Sequence, residues 1–182
     1  LIQDHRIGDV FVVPTMLRWL LDHPDMDHRD LSSLVSIRYG AAPIDTALLS
    51  RAMQAIPTAG FMQVYGQTEF APVVTCLPPA DHHGPGAAQR LASAGRPLPT
   101  ALVRIVDADR TPLPVGEVGE IAVSGPQQML GYWNRPEETA QALSDGWLYT
   151  GDAGFMDAEG YLHVVDRVKD MIVTGGENVY SA

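Results

Sequence analysis

The sequence predicts an α/β protein: a parallel α/β sheet subdomain, then a small antiparallel β-barrel-like subdomain, then the first hairpin of a C-terminal domain. Three observations carry this. Short apolar runs alternate with segments of 3.6-residue period up to about residue 65, the pattern of strand–helix–strand units. A stretch rich in breakers follows, with Pro78, Pro79, Gly84, Pro85, Gly86, Gly95, Pro97 and Pro99. Beyond it the apolar runs are short and the turns frequent, as in an antiparallel barrel or sandwich. The implied boundaries are 1–95, 96–165 and 166–182.

Asp9 to Val13 is rich in Val and reads as a buried parallel strand. Pro14-Thr15 opens a helix with Met16, Leu17, Leu20 and Leu21 on one face, and Pro24 limits it. Val35 to Tyr39 reads as the second strand and ends at Gly40. Ile44, Leu48, Leu49, Ala52, Met53 and Ile56 follow the helical period, with Asp45 in the first turn, where the helix dipole favours an acid. Gly60 to Val64 is the third strand. In the second half Leu102–Val106, Gly119–Ser124, Trp147–Tyr149 and Tyr161–Val165 read as strands, and 157–160 as a hairpin turn. Arg135 to Leu143 reads as a short helix with Asn134 as its cap. Met171 to Val173 is a last strand before Gly175-Gly176.

Composition narrows the function. With 46 % hydrophobic and 19 % charged residues in 182, the chain is globular. A net charge of −10 argues against a nucleic-acid partner, which needs an excess of Lys and Arg, but leaves a nucleotide possible. Cys76 is alone, so there is no disulfide framework and no cysteine-based metal site. No apolar run reaches membrane length and no signal peptide is visible, which fits a soluble cytoplasmic protein. The chain begins at Leu1 without Met and ends at Ala182 just after a Gly-Gly turn and a short apolar run, so it reads as an internal piece of a longer protein.

The candidate chemistry gathers where strands end, the usual place for ligands in α/β sheets. Gln63-Val64-Tyr65-Gly66-Gln67-Thr68-Glu69 takes a strand into a glycine turn. The Tyr65 ring can cover a flat base, the Thr68 hydroxyl can donate to a phosphate, and Glu69 can hold Mg²⁺, a hard cation that prefers oxygen ligands. Gly40-Ala41-Ala42-Pro43 ends the second strand. Such small residues let backbone approach a flat ligand, or simply make a tight strand-to-helix turn. Tyr149-Thr150-Gly151-Asp152 offers a carboxylate able to grip a ribose diol, or a turn Asp that satisfies its own backbone. Arg167 could donate to a sugar or phosphate, or form a surface ion pair. The six histidines show no ligand spacing, and His82-His83 reads as a solvated loop pair. No Ser sits in a nucleophile elbow, and no Walker-type phosphate loop is present.

Taken together these segments resemble the adenylate-forming superfamily of acyl-CoA synthetases, peptide-synthetase adenylation domains and luciferases. They occur in that family's order: Gly40-Ala41-Ala42-Pro43, then Tyr65-Gly66-Gln67-Thr68-Glu69. Next come Gly119-Glu120-Ile121 with Gly131-Tyr132-Trp133-Asn134-Arg135-Pro136-Glu137, then Tyr149-Thr150-Gly151-Asp152, and last Asp166-Arg167-Val168-Lys169-Asp170-Met171-Ile172. Nearly the whole chain is covered, and the last motif looks most like the acyl-CoA synthetases.

The resemblance implies a two-step reaction with ATP, Mg²⁺ and coenzyme A, in which a carboxylic acid, here a fatty acid, is activated as acyl-adenylate and passed to the thiol. It places Gly40 to Pro43, Gln63, Val64, Tyr65, Gly66 and Gln67 around adenine, Thr68 on the α-phosphate and Glu69 on magnesium. Asp152 and Arg167 fall on the ribose, and Asp166 on a hinge between domains. Tyr39, Gly66, Gln67 and Ala71 are the local candidates for the acyl pocket, with Gly66 leaving room for a chain longer than acetate. The family's phosphate loop and its C-terminal lysine have no counterpart in these residues, so the 182-residue chain alone is expected to be inactive. Loading of a carrier protein, and a non-catalytic nucleotide-binding piece, are the competing expectations.

Overall fold

The computed structural model describes residues 1–167 in full, and the backbone of 172–174 and 177–179. The chain opens with α1 (Ile2–His5), β1 (Asp9–Val12) and α2 (Pro14–Leu21). It continues through β2 (Ser36–Gly40), α3 (Thr46–Ala55) and β3 (Gly60–Gly66). Pro14 takes the first helical position of α2, where its missing N–H costs nothing. The Asp45 carboxylate accepts from the Ala47 N–H at 2.9 Å and caps α3. β1, β2 and β3 are parallel neighbours, as two strand–helix–strand connections require. Leu17 and Leu21 of α2, Leu49 and Ala52 of α3, and Ile37 and Tyr39 of β2 share one buried core. Met16, expected on that face, is about half exposed instead. The core stripe of this eight-residue helix is set by the four-residue step from Leu17 to Leu21.

The same sheet then turns antiparallel. β4 (Val73–Leu77) returns along β3, and β5 (Arg96–Pro97) pairs with β4 beyond α4 (Ala87–Leu91). The order is β1-β2-β3-β4-β5. The expected parallel strands β1, β2 and β3 are thus extended by two antiparallel strands, β4 and β5, that the sequence does not announce.

The second sheet is built from β6 (Leu102–Val106), β7 (Gly119–Ser124), β8 (Leu143–Ser144), which follows α5 (Pro136–Ala142), β9 (Trp147–Met156) and β10 (Leu162–Arg167). Its antiparallel order is β10-β9-β7-β6, with β8 added to β9. Among the described residues β10 and β6 do not pair, so this is an open antiparallel sheet and, of the barrel-like and sandwich-like forms expected, not a closed barrel. β11 (Ile172–Thr174) and β12 (Glu177–Val179) pair antiparallel, in keeping with the expected terminal hairpin. Val168 to Met171, with Gly175 and Gly176, lie outside the described residues.

What joins the two sheets also positions the site. Phe70 comes from the β3–β4 connection and Val74 from β4 of the first sheet, yet both are buried in the second core with Ile105, Ile121, Val123, Leu148 and Leu162. The Ala94 N–H donates to the Leu162 carbonyl at 2.7 Å, and the Leu162 N–H donates to the Gly95 carbonyl at 2.8 Å. No helix among the described residues is long and apolar enough to cross a membrane.

Candidate nucleotide site

Parallel strands bring their carboxyl ends to one edge, and Gly40 of β2 lies directly beside Val64 of β3. A Cβ on Gly40 would run into the Val64 carbonyl, so here the small residue serves the sheet. Ala41 follows with φ 65°, a left-handed turn that lifts Ala41, Ala42 and Pro43 to the surface at that edge. β3 runs on through Tyr65 to Gly66, and the register on β4 shifts between them. A Cβ on Gly66 would meet the Pro72 carbonyl, so only glycine lets the chain double back this closely. Thr68–Phe70 then forms one 3₁₀ turn. Phe70 is sealed in the second core, which leaves Thr68 exposed and Glu69 half-buried beside it.

Two side-chain bridges cross from this turn to the second unit. The Tyr65 hydroxyl donates to Asp152 Oδ2 at 2.8 Å. Burial, and next the negative charge of Asp152, push the Tyr65 phenol well above its ordinary value, so it stays a protonated donor. Asp152 is aimed by its own strand. The Thr150 hydroxyl donates to the Ile121 carbonyl at 2.8 Å and accepts from the Asp152 N–H at 3.1 Å. The Gly151 N–H donates to Glu120 Oε1 at 2.9 Å, with Gly151 at φ 73°. Thus Thr150, and not the Asp152 carboxylate, satisfies the turn. Arg167 pairs in register with Asp152, and its Nε lies 3.8 Å from Oδ1. At 76 % exposure the Arg167 side chain adds little stability through this contact. Oδ1 takes no hydrogen bond from the described residues, and the side chain is only 18 % exposed.

The second bridge runs from the Tyr132 hydroxyl to Glu69 Oε1 at 2.8 Å. The Met129 N–H also donates to the Glu69 carbonyl, again at 2.8 Å. Burial first, then the hydrogen bond and charge of Glu69, raise the Tyr132 phenol above its usual value. Sequence reading assigned Tyr132 no role. Its only signal is its place in the Gly131–Glu137 motif, since no periodicity links residues 63 positions apart.

Other expected site residues fall elsewhere. Tyr39, an acyl-pocket candidate, is wholly inside the first core. His82, expected in solvent, is buried against it. The Pro78 carbonyl can only accept, so His82 Nδ1 carries the hydrogen across 3.0 Å and Nε2 accepts from the Tyr39 hydroxyl at 2.9 Å. His83 is exposed. Gln63 stands beside Tyr39 in register, and its Oε1 is buried without a hydrogen bond among the described residues. Gly66 and Gln67 are half-buried, and Ala71 is exposed with φ 52°. Asp166 lies within β10, opposite Ala153 and just past a register shift.

The donor set fits a magnesium ion carried by a nucleotide better than a protein-only cage. Among the described residues no cluster of three or more His, Cys, Asp or Glu could hold a metal. Glu69 offers one half-exposed carboxylate whose Oε2 takes no hydrogen bond among the described residues, beside the exposed Thr68 hydroxyl. Mg²⁺ is commonly held by one or two carboxylates together with substrate phosphates and water.

Over residues 1–133 the chain matches the protein family described as AMP-binding enzyme. It is 48 % identical over 180 residues to a medium/long-chain-fatty-acid–CoA ligase of Mycobacterium tuberculosis, covering 99 % of this chain and 31 % of that protein. It is 42 % identical over 182 residues to a fatty acid–[acyl-carrier-protein] ligase of Streptomyces coeruleorubidus, covering all of this chain and 34 % of that one. Among solved structures, the amide bond synthetase McbA of Marinactinospora thermotolerans superposes with a TM-score of 0.89 at 42 % identity, over 99 % of this chain and 35 % of that one. An O-succinylbenzoate coenzyme A synthetase of Bacillus subtilis, in complex with ATP and magnesium ion, gives 0.84 at 35 % identity, over 98 % and 35 %. The chain spans about a third of the length of the curated relatives it matches.

Proposed function

The chain belongs to the AMP-binding enzyme family, and from that premise we propose that its protein is an AMP-forming acid–thiol ligase, with a fatty acid as the acid and coenzyme A as the thiol. The carrying observation is the Tyr65–Asp152 bridge. It joins a motif at the end of β3 and one within β9, 87 residues apart, into one surface with a ring, a carboxylate and, from Arg167, a guanidinium. That is the chemistry adenosine needs: a flat apolar cover for the base and acceptors for a ribose diol.

The roles follow from position. Gly40 to Pro43 and Gln63 to Gln67 form the adenine edge, Asp152 and Arg167 hold the ribose, and Thr68 donates to the α-phosphate. Glu69, with phosphate oxygens, would hold magnesium, which when bound offsets charge on the phosphates. The acid's carboxylate attacks the α-phosphorus, the α–β bridging bond breaks, and pyrophosphate leaves. The thiol then attacks the acyl carbon and AMP departs. Donors fixed in advance beside the developing charge lower such a barrier. Gly66, Gln67 and Ala71 border the acyl side, and a cytoplasmic location fits ATP and coenzyme A as substrates. The fatty acid rests on the mycobacterial relative. The acyl-carrier-protein ligase at 42 % identity favours one second reading, transfer to a carrier-protein thiol.

Asp166 would act as the hinge, since it sits at the end of β10, past a bulge and before the terminal hairpin. Asp166→Pro fixes φ and should slow one half-reaction more than the other in the full-length protein, and equal slowing would argue for misfolding.

The test of the function is pyrophosphate release by the full-length protein with a panel of fatty and aryl acids, with and without coenzyme A. Fatty-acid-dependent release, with acyl-CoA found by mass spectrometry, is expected. Nucleotide binding with no release for any acid would reduce the protein to a non-catalytic binder. Release with acyl transfer only to a carrier protein would select the second reading.

A further inference from the structure

We propose that Tyr132 is a positioning residue for Glu69: its hydroxyl fixes one carboxylate oxygen so that the other faces the metal carried by the nucleotide. The inference rests on the reading of Glu69 as the magnesium-holding residue.

Glu69 sits on a single 3₁₀ turn, and no residue of that turn donates to its carboxylate. Among the described residues the Tyr132 hydroxyl is its one side-chain donor, at 2.8 Å. The donor is itself held. The Tyr132 N–H donates to Thr139 Oγ1 at 2.9 Å, and that hydroxyl donates to the Arg135 carbonyl at 2.7 Å. A Cβ on Gly131 would come within 2.8 Å of the Thr139 methyl, so glycine there lets residues 129–135, a strap ahead of α5, lie against that helix. On the other side of Tyr132, the Met129 N–H grips the Glu69 backbone carbonyl at 2.8 Å. The strap therefore fixes both the main chain and one oxygen of Glu69, and Oε2 takes no hydrogen bond among the described residues. An aliphatic carboxylate otherwise samples several rotamers, and only some direct an oxygen towards the phosphates beside Thr68. A coordinating carboxylate is commonly oriented by such an outer hydrogen bond, whose loss typically weakens metal affinity by about 10- to 100-fold.

The experiment measures ATP binding to the full-length protein by calorimetry, in magnesium and in EDTA, with no acid present, so that no turnover occurs. Mn²⁺ binding in the presence of ATP, followed by electron paramagnetic resonance, gives a second readout. Tyr132→Phe should weaken the metal-dependent part of ATP affinity about tenfold, leave ATP affinity in EDTA unchanged and leave Tm within a degree or two. Tyr132→His, which returns a ring donor, should recover part of the loss. In a Glu69→Gln background Tyr132→Phe should add nothing. If Glu69→Gln abolishes metal dependence while Tyr132→Phe retains it in full, the positioning role is overturned and the Glu69 reading stands. If Glu69→Gln itself keeps full metal dependence, both are overturned. Equal weakening with and without metal would mark the strap as structural and overturn the proposal.

Discussion

The two bridges that leave the β3–β4 turn are built from the same pair of groups, a tyrosine hydroxyl and a carboxylate at 2.8 Å, yet they differ in what holds them. Tyr65–Asp152 joins two strands. Its tyrosine is partly buried against the second core, and its carboxylate is aimed by Thr150 and Gly151 in the middle of β9. Tyr132–Glu69 joins a one-turn helix to a loop whose neighbours Leu130 and Trp133 are almost wholly exposed. Strand-borne groups keep their place because ladder hydrogen bonds and a core hold them. Loop-borne groups keep theirs only through a few local bonds. On the proposed function, the rigid bridge serves the part of ATP that does not change, the adenosine. The lighter bridge serves the phosphates, where bonds break and pyrophosphate must leave.

The most damaging way to break this contrast is to remove what the bridges share. Phe70 anchors the turn between Tyr65 and Glu69 in the second core. Phe70→Ala should cost about 3–5 kcal/mol of stability, the usual loss for a buried aromatic. Chemical denaturation of the full-length protein measures it. A loss under about 1 kcal/mol would mean that the turn is held by something other than this core.

Tyr65→Phe cuts only the rigid bridge. The ring stays, so the proposed adenine cover is kept while the Asp152 carboxylate loses a donor. ATP affinity should fall by about 1–2 kcal/mol, the scale of a hydrogen bond to a charged group. Calorimetry against ATP checks this, and unchanged affinity would show that Asp152 is aimed well enough by its own strand.

A smaller effect should touch stability and leave both bridges alone. Burial holds the His82 imidazole below its ordinary value of 6.5, so the folded protein keeps it neutral. The unfolded chain binds the proton more readily, and its contribution is therefore fully present above pH 6.5 and shrinks as pH falls below it. His82→Gln should flatten the fall in Tm between neutral and mildly acid pH, and an unaltered slope would exclude His82 as its source.

The same contrast explains what could be read from sequence. β1 to β3, α2 and α3 declare themselves through apolar period, and the glycine turns at Gly40 and Gly66 mark the strand ends. Tyr65, Glu69 and Asp152 stand out in the sequence as polar groups beside glycine turns, though each also admits a purely structural reading there. The pairing of Tyr65 with Asp152 was not visible, because it depends on how the second sheet docks through Phe70. β4 was missed because its five residues lie between Pro72 and Pro78 without alternation. β9 was cut short at Tyr149 because Gly151 and Gly154 look like breakers, whereas Gly151 forms a kink within one ten-residue strand. His82 looked solvated because its acceptor role for Tyr39 spans 43 residues. The short strands and frequent turns of the second half announce an antiparallel barrel-like or sandwich-like unit, but they say nothing about whether its edge strands meet.

The central claim is that Asp152 reads the ribose. The direct measurement is the affinity of the full-length protein, wild type and Asp152→Ala, for AMP and for 2′,3′-dideoxy-AMP. If the claim holds, the wild type prefers AMP by about 1–3 kcal/mol, the scale of charge-assisted hydrogen bonds, and Asp152→Ala binds the two nucleotides alike. An Asp152→Ala protein that still prefers AMP by the wild-type margin would contradict it.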